Sequence, residues 1–99
     1  MSKKIFWSKS AENDLILLTE YLLFKWNKKV ANNYIDLLEN ITNLISKNPK
    51  IYPIINKELK IYKCVVSKHN SLYYQVTENK IEILRLFDNR QNPKKNDFK

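Results

Sequence analysis

Apolar residues recur in two rhythms along this chain, and the change from one to the other divides it near its middle. Ala11, Leu15, Leu18 and Leu22 stand at three- and four-residue steps, the spacing that stacks side chains on one face of an α-helix. Ser8 or Ser10 offers an N-cap, and Glu12 and Asp14 fall in the first turn, where a carboxylate meets the positive end of the helix dipole. The pattern predicts a helix to about Lys25. After Trp26-Asn27-Lys28-Lys29, a second stripe of Ala31, Tyr34, Leu38, Ile41 and Ile45, widened by Leu37 and Leu44, predicts a helix that Asn48-Pro49 stops. A link this short makes an antiparallel hairpin whose apolar side needs a further layer to cover it.

The second rhythm has a period of two. Lys3 to Trp7 reads as a short strand ahead of the helices, and Leu59 to Lys68 as a strand of imperfect alternation. Ser71 to Thr77 sets Leu72, Tyr74 and Val76 against Tyr73, Gln75 and Thr77. Past the Glu78-Asn79 turn, Lys80 to Phe87 sets Ile81, Ile83, Arg85 and Phe87 against Glu82, Leu84 and Leu86. The expected order is β-α-α-β-β-β, an α+β domain over residues 1–88 with the helical hairpin packed on a curved antiparallel sheet. Residues 89–99 are almost wholly polar and read as a basic tail. Tyr73 and Tyr74 point to opposite faces of one strand, so at most one is expected in the core and the other on the surface. Trp26 is expected to pack at the hairpin bend.

Composition narrows the chemistry. Glycine is absent, which excludes the P-loop and the dinucleotide fingerprint, both of which need glycine where backbone approaches phosphate. Turns then fall to Asn48-Pro49, Asn56, Asn70, Asn79 and Asn92-Pro93. Cys64 is the single cysteine; it reads as a small buried hydrophobe, and no disulfide, thiol zinc site or redox pair can be assembled within the chain. No cofactor and no metal are expected. No run approaches the roughly 18 apolar residues of a membrane span, and the start lacks an apolar leader, so the expectation is a cytoplasmic protein with no membrane partner. The net charge of +8 points to a polyanionic partner, although an AT-rich genome would also yield many lysines, asparagines and isoleucines.

Three segments, in order, carry a resemblance: Trp7-Ser8 with Ala11 and Asp14-Leu15; Asn48-Pro49 with Tyr52-Pro53; and Leu72-Tyr73-Tyr74-Gln75-Val76 leading to Ile81-Glu82-Ile83-Leu84-Arg85. Together they resemble the RelE/ParE superfamily, the toxins of type II toxin–antitoxin and plasmid stabilisation systems. The resemblance implies a small toxin neutralised by a cognate antitoxin, whose C-terminal segment wraps its helices and sheet, in a toxin–antitoxin hetero-oligomer. It also implies one of two targets: DNA gyrase in the ParE-like branch, or the ribosome and its mRNA in the RelE-like branch.

Cleaving RNA requires a base for the 2′-OH, cations for the phosphorane-like transition state and an acid for the leaving oxygen. His69, Arg85 and Arg90 are the candidate catalytic residues, and Lys63, Lys68, Tyr73 and Arg90 the candidate contacts to nucleic acid or target. Each has a plainer reading: His69 as an exposed turn residue, Arg85 as an ion-pair partner of Asp14, Asp36 or Glu82, and Tyr73 as a surface tyrosine. Ser71 stands where the ribonuclease branch carries an arginine, and no Tyr or His follows Arg90. These departures favour ParE-like gyrase inhibition over a RelE-like endoribonuclease. The third reading is a basic nucleic-acid-binding domain without toxin activity.

Overall fold

A computed structural model describes residues 2–88. Seven elements follow one another: β1 (Lys4–Trp7), α1 (Lys9–Lys25), α2 (Lys28–Lys47), β2 (Ile54–Asn56), β3 (Ile61–Val65), β4 (Asn70–Val76) and β5 (Lys80–Asp88). The strands form one sheet in the order β1-β5-β4-β3-β2, with the helical hairpin across one face. The architecture is the expected α+β arrangement of a helical hairpin on a sheet.

Two details of the sheet were not in the pattern. β1 runs parallel to β5, Lys4 opposite Lys80 and Trp7 opposite Ile83, whereas all other neighbours are antiparallel. The long excursion through both helices frees β1 from hairpin geometry, so it joins the sheet from the far side. β2 is an additional edge strand of three residues, too short for any periodicity to reveal, and the expected strand from Leu59 to Lys68 is confined to Ile61–Val65.

Ser8 fixes the passage from sheet to helix. Its hydroxyl accepts the Ala11 N–H at 3.0 Å as the N-cap of α1 and donates to the Leu84 carbonyl at 2.9 Å, while its own N–H bonds to Ile83 O at 2.9 Å. At the far end, the Ser46 hydroxyl near the end of α2 donates to Lys3 O at 2.6 Å, and Lys3 N–H returns a bond to Ser46 O. Both ends of the hairpin are therefore tied to β1 and its neighbour.

The stripe predicted for α2 is the one that packs: Ala31, Leu38, Ile41 and Ile45 are buried, while Leu37 and Leu44 face outward. With Ala11 of α1, Leu38, Ile41 and Ile45 meet Tyr62, Cys64, Leu72, Tyr74, Ile81, Ile83 and Leu86 of the sheet. Each fully buried Leu or Ile in such a layer contributes about 1.5–3 kcal/mol. A bulge explains the mixed alternation of β5: Tyr73 faces Arg85 but Tyr74 faces Ile83, leaving Leu84 unpaired between them. Past that extra residue the faces exchange, so Leu86 enters the core in place of the arginine.

The two tyrosines correct an expectation. They do lie on opposite faces, yet Tyr73 is 1% and Tyr74 0% exposed, so neither is a surface residue. Trp26 corrects another: it is 62% exposed as the C-cap of α1, because the link between the helices is too short to fold the ring back under them. Without glycine, the turn before β3 places Lys60 at φ 56°, the only left-handed residue among those described. Asn56 supports that turn by accepting Leu59 N–H at 2.9 Å through its side chain, the role expected of a turn asparagine. Asn70 instead begins β4 and is buried, where its side chain accepts from the Ser67 hydroxyl at 3.0 Å.

Candidate functional site

β1 stops at Trp7, opposite Ile83, so the outer edge of β5 beyond that point has no strand beside it. α1 takes its place. Asp14, in the second turn of the helix, accepts the Leu86 backbone N–H at 3.0 Å and so occupies the edge as a strand's carbonyl would. The same carboxylate takes Arg85 through two parallel bonds, from Nε at 2.7 Å and from a terminal nitrogen at 3.1 Å. The ion pair with Asp14 is one of the three partners weighed from the sequence.

Beside this pair lies a cleft of about 310 Å³ between α1 and the ends of β4 and β5. Asp14, Arg85, Asp88, Tyr21 and Asn70 give it polar atoms, and Leu17, Leu18 and Leu86 give it an apolar wall. Two carboxylates thus face one guanidinium that is already shared with Asp14. Counted over the described lining residues alone, carboxylates outnumber guanidinium groups two to one, a poor setting for a phosphorane-like transition state.

On the sheet face away from the helices, cations and aromatic rings interleave. Lys63, Tyr73 and Arg85 form one row across β3, β4 and β5, which sets the lysine and arginine backbones roughly 10 Å apart. The Lys63 ammonium lies 5.9 Å from the Tyr73 ring centre, and the Arg85 guanidinium lies 4.4 Å from that of Phe87. Phe87 meets Tyr73 edge to face at 5.8 Å. In the next row Ser71 sits between Val65 and Phe87 and is fully buried.

The remaining candidates are scattered. Lys68 is exposed and His69 half-buried in the turn between β3 and β4, where the His69 N–H meets the Ser67 hydroxyl at 3.3 Å. Arg90 lies outside the described residues, as does the tail over 89–99. Arg85, Tyr73 and Lys63 are thus brought together, while His69 and Lys68 occupy a turn of their own. Two features had escaped the sequence reading. Asp14 caps a sheet edge as well as pairing with Arg85, and Phe24 stands 90% exposed at the end of α1. The signal for Phe24 is that α1 is apolar on every side from Leu15 to Phe24, so its core contact cannot use all of it.

Inside the core the polar atoms are mostly satisfied. Tyr74 donates its hydroxyl to Pro49 O at 2.8 Å and stacks on Tyr62 at 5.2 Å. The Tyr34 hydroxyl, on α2, is buried without a hydrogen-bond partner. Burial, and then the charge of Asp88 and the nearby Cys64, push that hydroxyl well above its ordinary range. Burial likewise raises the Cys64 thiol, which the Tyr52 hydroxyl partly offsets by hydrogen bonding to it, and a raised thiol is a poor nucleophile. Among the described residues, no group of three or more His, Cys, Asp or Glu side chains is placed to hold a metal ion, and no helix is long and apolar enough to cross a membrane.

A short hairpin laid on a five-stranded mixed sheet is a fold that this chain shares with solved chains of toxin–antitoxin systems. Residues 5–93 match the model of the ParE toxin of the type II toxin–antitoxin system parDE, and the chain belongs to that family. The fold is shared with a chain of the chromosomal ParDE toxin–antitoxin system of P. aeruginosa, at a TM-score of 0.73 and 12% identity over 88% of this chain and 96% of that one. It is also similar to a chain of the E. coli DinJ–YafQ toxin–antitoxin complex, with a TM-score of 0.61 and 14% identity over 89% and 93% of the two chains. The YoeB dimer of Staphylococcus aureus gives 0.60 and 18% over 88% and 97%. No curated protein sequence matches the chain significantly.

Proposed function

We infer that this chain is the toxin of a two-protein module, held inactive by a cognate antitoxin, and that it inhibits DNA gyrase without cleaving RNA. The carrying observation is the commitment of Arg85. Among the described candidate cations, Arg85 is one that lines the cleft, and it is bonded twice to Asp14 in a site that holds a second carboxylate, Asp88. His69, the one histidine of the chain, stands in a separate turn. Ser71 is buried where a ribonuclease would need a cation. Membership of the ParE toxin family and the fold shared with the ParDE chain support the same branch. Binding to a large nucleoprotein machine needs surface and charge, which a chain of +8 supplies, and does not need an acid–base pair.

The test compares supercoiling by purified gyrase with message cleavage on translating ribosomes, for the wild type and for His69→Ala. Gyrase inhibition in both proteins and intact message is the expected result. Message cleavage that disappears in His69→Ala would establish the RelE-like endoribonuclease instead. Full protection of gyrase by a co-expressed antitoxin completes the assignment.

A further inference from the structure

The tip of the helical hairpin carries chemistry that neither the core nor the cleft uses. Phe24 is 90% exposed in the last turn of α1, and Trp26, two residues on, is 62% exposed. Lys25, Lys28 and Lys29 are exposed around them, and no Asp or Glu occurs between Glu20 and Asp36. The backbone beneath the rings is held on both sides. Trp26 N–H bonds to Leu22 O at 2.9 Å, and the Asn27 side chain caps α2 by accepting Val30 N–H at 2.9 Å.

Three kinds of partner meet such a surface differently. An amphipathic helix of another protein seeks a row of apolar anchors at i, i+4 and i+7, which exposed Leu17, Tyr21 and Phe24 supply along α1, but past that row the tip offers it only Trp26 among lysines and an asparagine. A lipid interface seeks a continuous apolar face with the cations set apart from it, whereas here lysines and rings alternate along six residues, Phe24 to Lys29. Single-stranded nucleic acid presents flat bases with phosphates between them, and rings interleaved with ammonium groups complement both. We propose that the hairpin tip is a single-stranded nucleic-acid contact, in which Phe24 and Trp26 stack on unpaired bases and Lys25, Lys28 and Lys29 neutralise the flanking phosphates. The contact does not depend on the gyrase reading, because it is measured on an oligonucleotide alone.

The experiment titrates the full chain into a fluorescein-labelled oligo-dT of about twelve nucleotides and follows anisotropy at several salt concentrations. Saturable binding is expected, with log affinity falling against log salt at a slope of about −2 for three neutralised phosphates. Phe24→Ala and Trp26→Ala each weaken binding roughly ten-fold, and Lys28→Gln with Lys29→Gln makes the slope shallower by about 1.4. All four side chains are exposed, so far-UV circular dichroism stays unchanged. In a Trp7→Phe background, where Trp26 is the remaining tryptophan, oligonucleotide also quenches its emission. The inference is overturned by no binding at low salt or by affinity that none of the variants reduces. Binding to phosphatidylglycerol vesicles but not to oligonucleotide would also overturn it. A chain that binds oligonucleotide as described yet leaves gyrase untouched would retain this contact and remove the proposed target.

Discussion

The carboxylate of Asp14 closes the open edge of β5, taking Arg85 Nε at 2.7 Å and, through the same oxygen, the Leu86 N–H at 3.0 Å. The two side chains come from positions 71 residues apart and are 15% and 35% exposed, so the pair is partly withdrawn from water without being sealed from it. Charge-assisted bonds in such a setting are each worth about 1.5–3 kcal/mol.

Asp14→Ala therefore costs more than Arg85→Ala. The first removes an acceptor shared by a backbone N–H and a guanidinium, whereas the second leaves a carboxylate that still holds Leu86. The expected loss is about 3 kcal/mol for Asp14→Ala and about 2 kcal/mol for Arg85→Ala, with a coupling of about 1 kcal/mol or more in the double-mutant cycle. Urea denaturation of the four proteins measures it. Additive losses would show the pair to be incidental.

Tyr34 and Tyr74 give a contrast between a buried hydroxyl with a partner and one without. Tyr74→Phe removes the bond to Pro49 O and is expected to cost about 1 kcal/mol. Tyr34→Phe removes a hydroxyl that gains nothing from burial and is expected to leave stability unchanged or to raise it by up to about 1 kcal/mol. Equal losses in the two variants, read from thermal unfolding, would mean that the Tyr34 hydroxyl has found an acceptor.

Alkaline pH should weaken the fold. Burial raises Cys64 above its ordinary 9.0, and Tyr34 and Tyr74 above 10.0, so the folded chain keeps these protons where the unfolded chain has released them. The unfolded state then binds fewer protons, and stability falls as pH rises past those ordinary values. Their contribution is constant below about pH 8 and declines from about pH 9 upward. The urea midpoint is expected to drop between about pH 8 and pH 10.5, and less steeply in Tyr74→Phe. Iodoacetamide labelling of Cys64 should remain slow until the chain unfolds, since the group is both buried and protonated.

Lys60 carries the cost of a chain without glycine. A lysine at φ 56° holds its Cβ against the following carbonyl, a strain of about 1–2 kcal/mol. Its own carbonyl accepts Val76 N–H at 3.0 Å, so the conformation is held by the sheet. Lys60→Gly is expected to stabilise by about 0.5–1 kcal/mol after the added entropy of the unfolded chain, which raises Tm by about 2–8 °C. A lower Tm would show that the lysine side chain contributes more than its backbone costs.

The helices were legible in the chain because their cause is local. Ser8, the Ala31–Ile45 stripe and Asn48-Pro49 act through neighbours within a turn or two, and the structure reproduces those boundaries. The core face of β4 was legible for the same reason, since Leu72 and Tyr74 need only the alternation of a strand. Period says nothing, however, about which strand lies beside which. The parallel seat of β1 on β5 and the bulge at Leu84 depend on contacts across most of the chain's length, as does the choice of Asp14 for Arg85 over Asp36 or Glu82. They decide that an arginine on a mostly apolar strand faces a carboxylate, that Tyr73 is buried, and that Phe24 and Trp26 are left in water. Local spacing selects the elements, whereas the competition for a limited buried area selects which of their residues remain outside to meet another molecule.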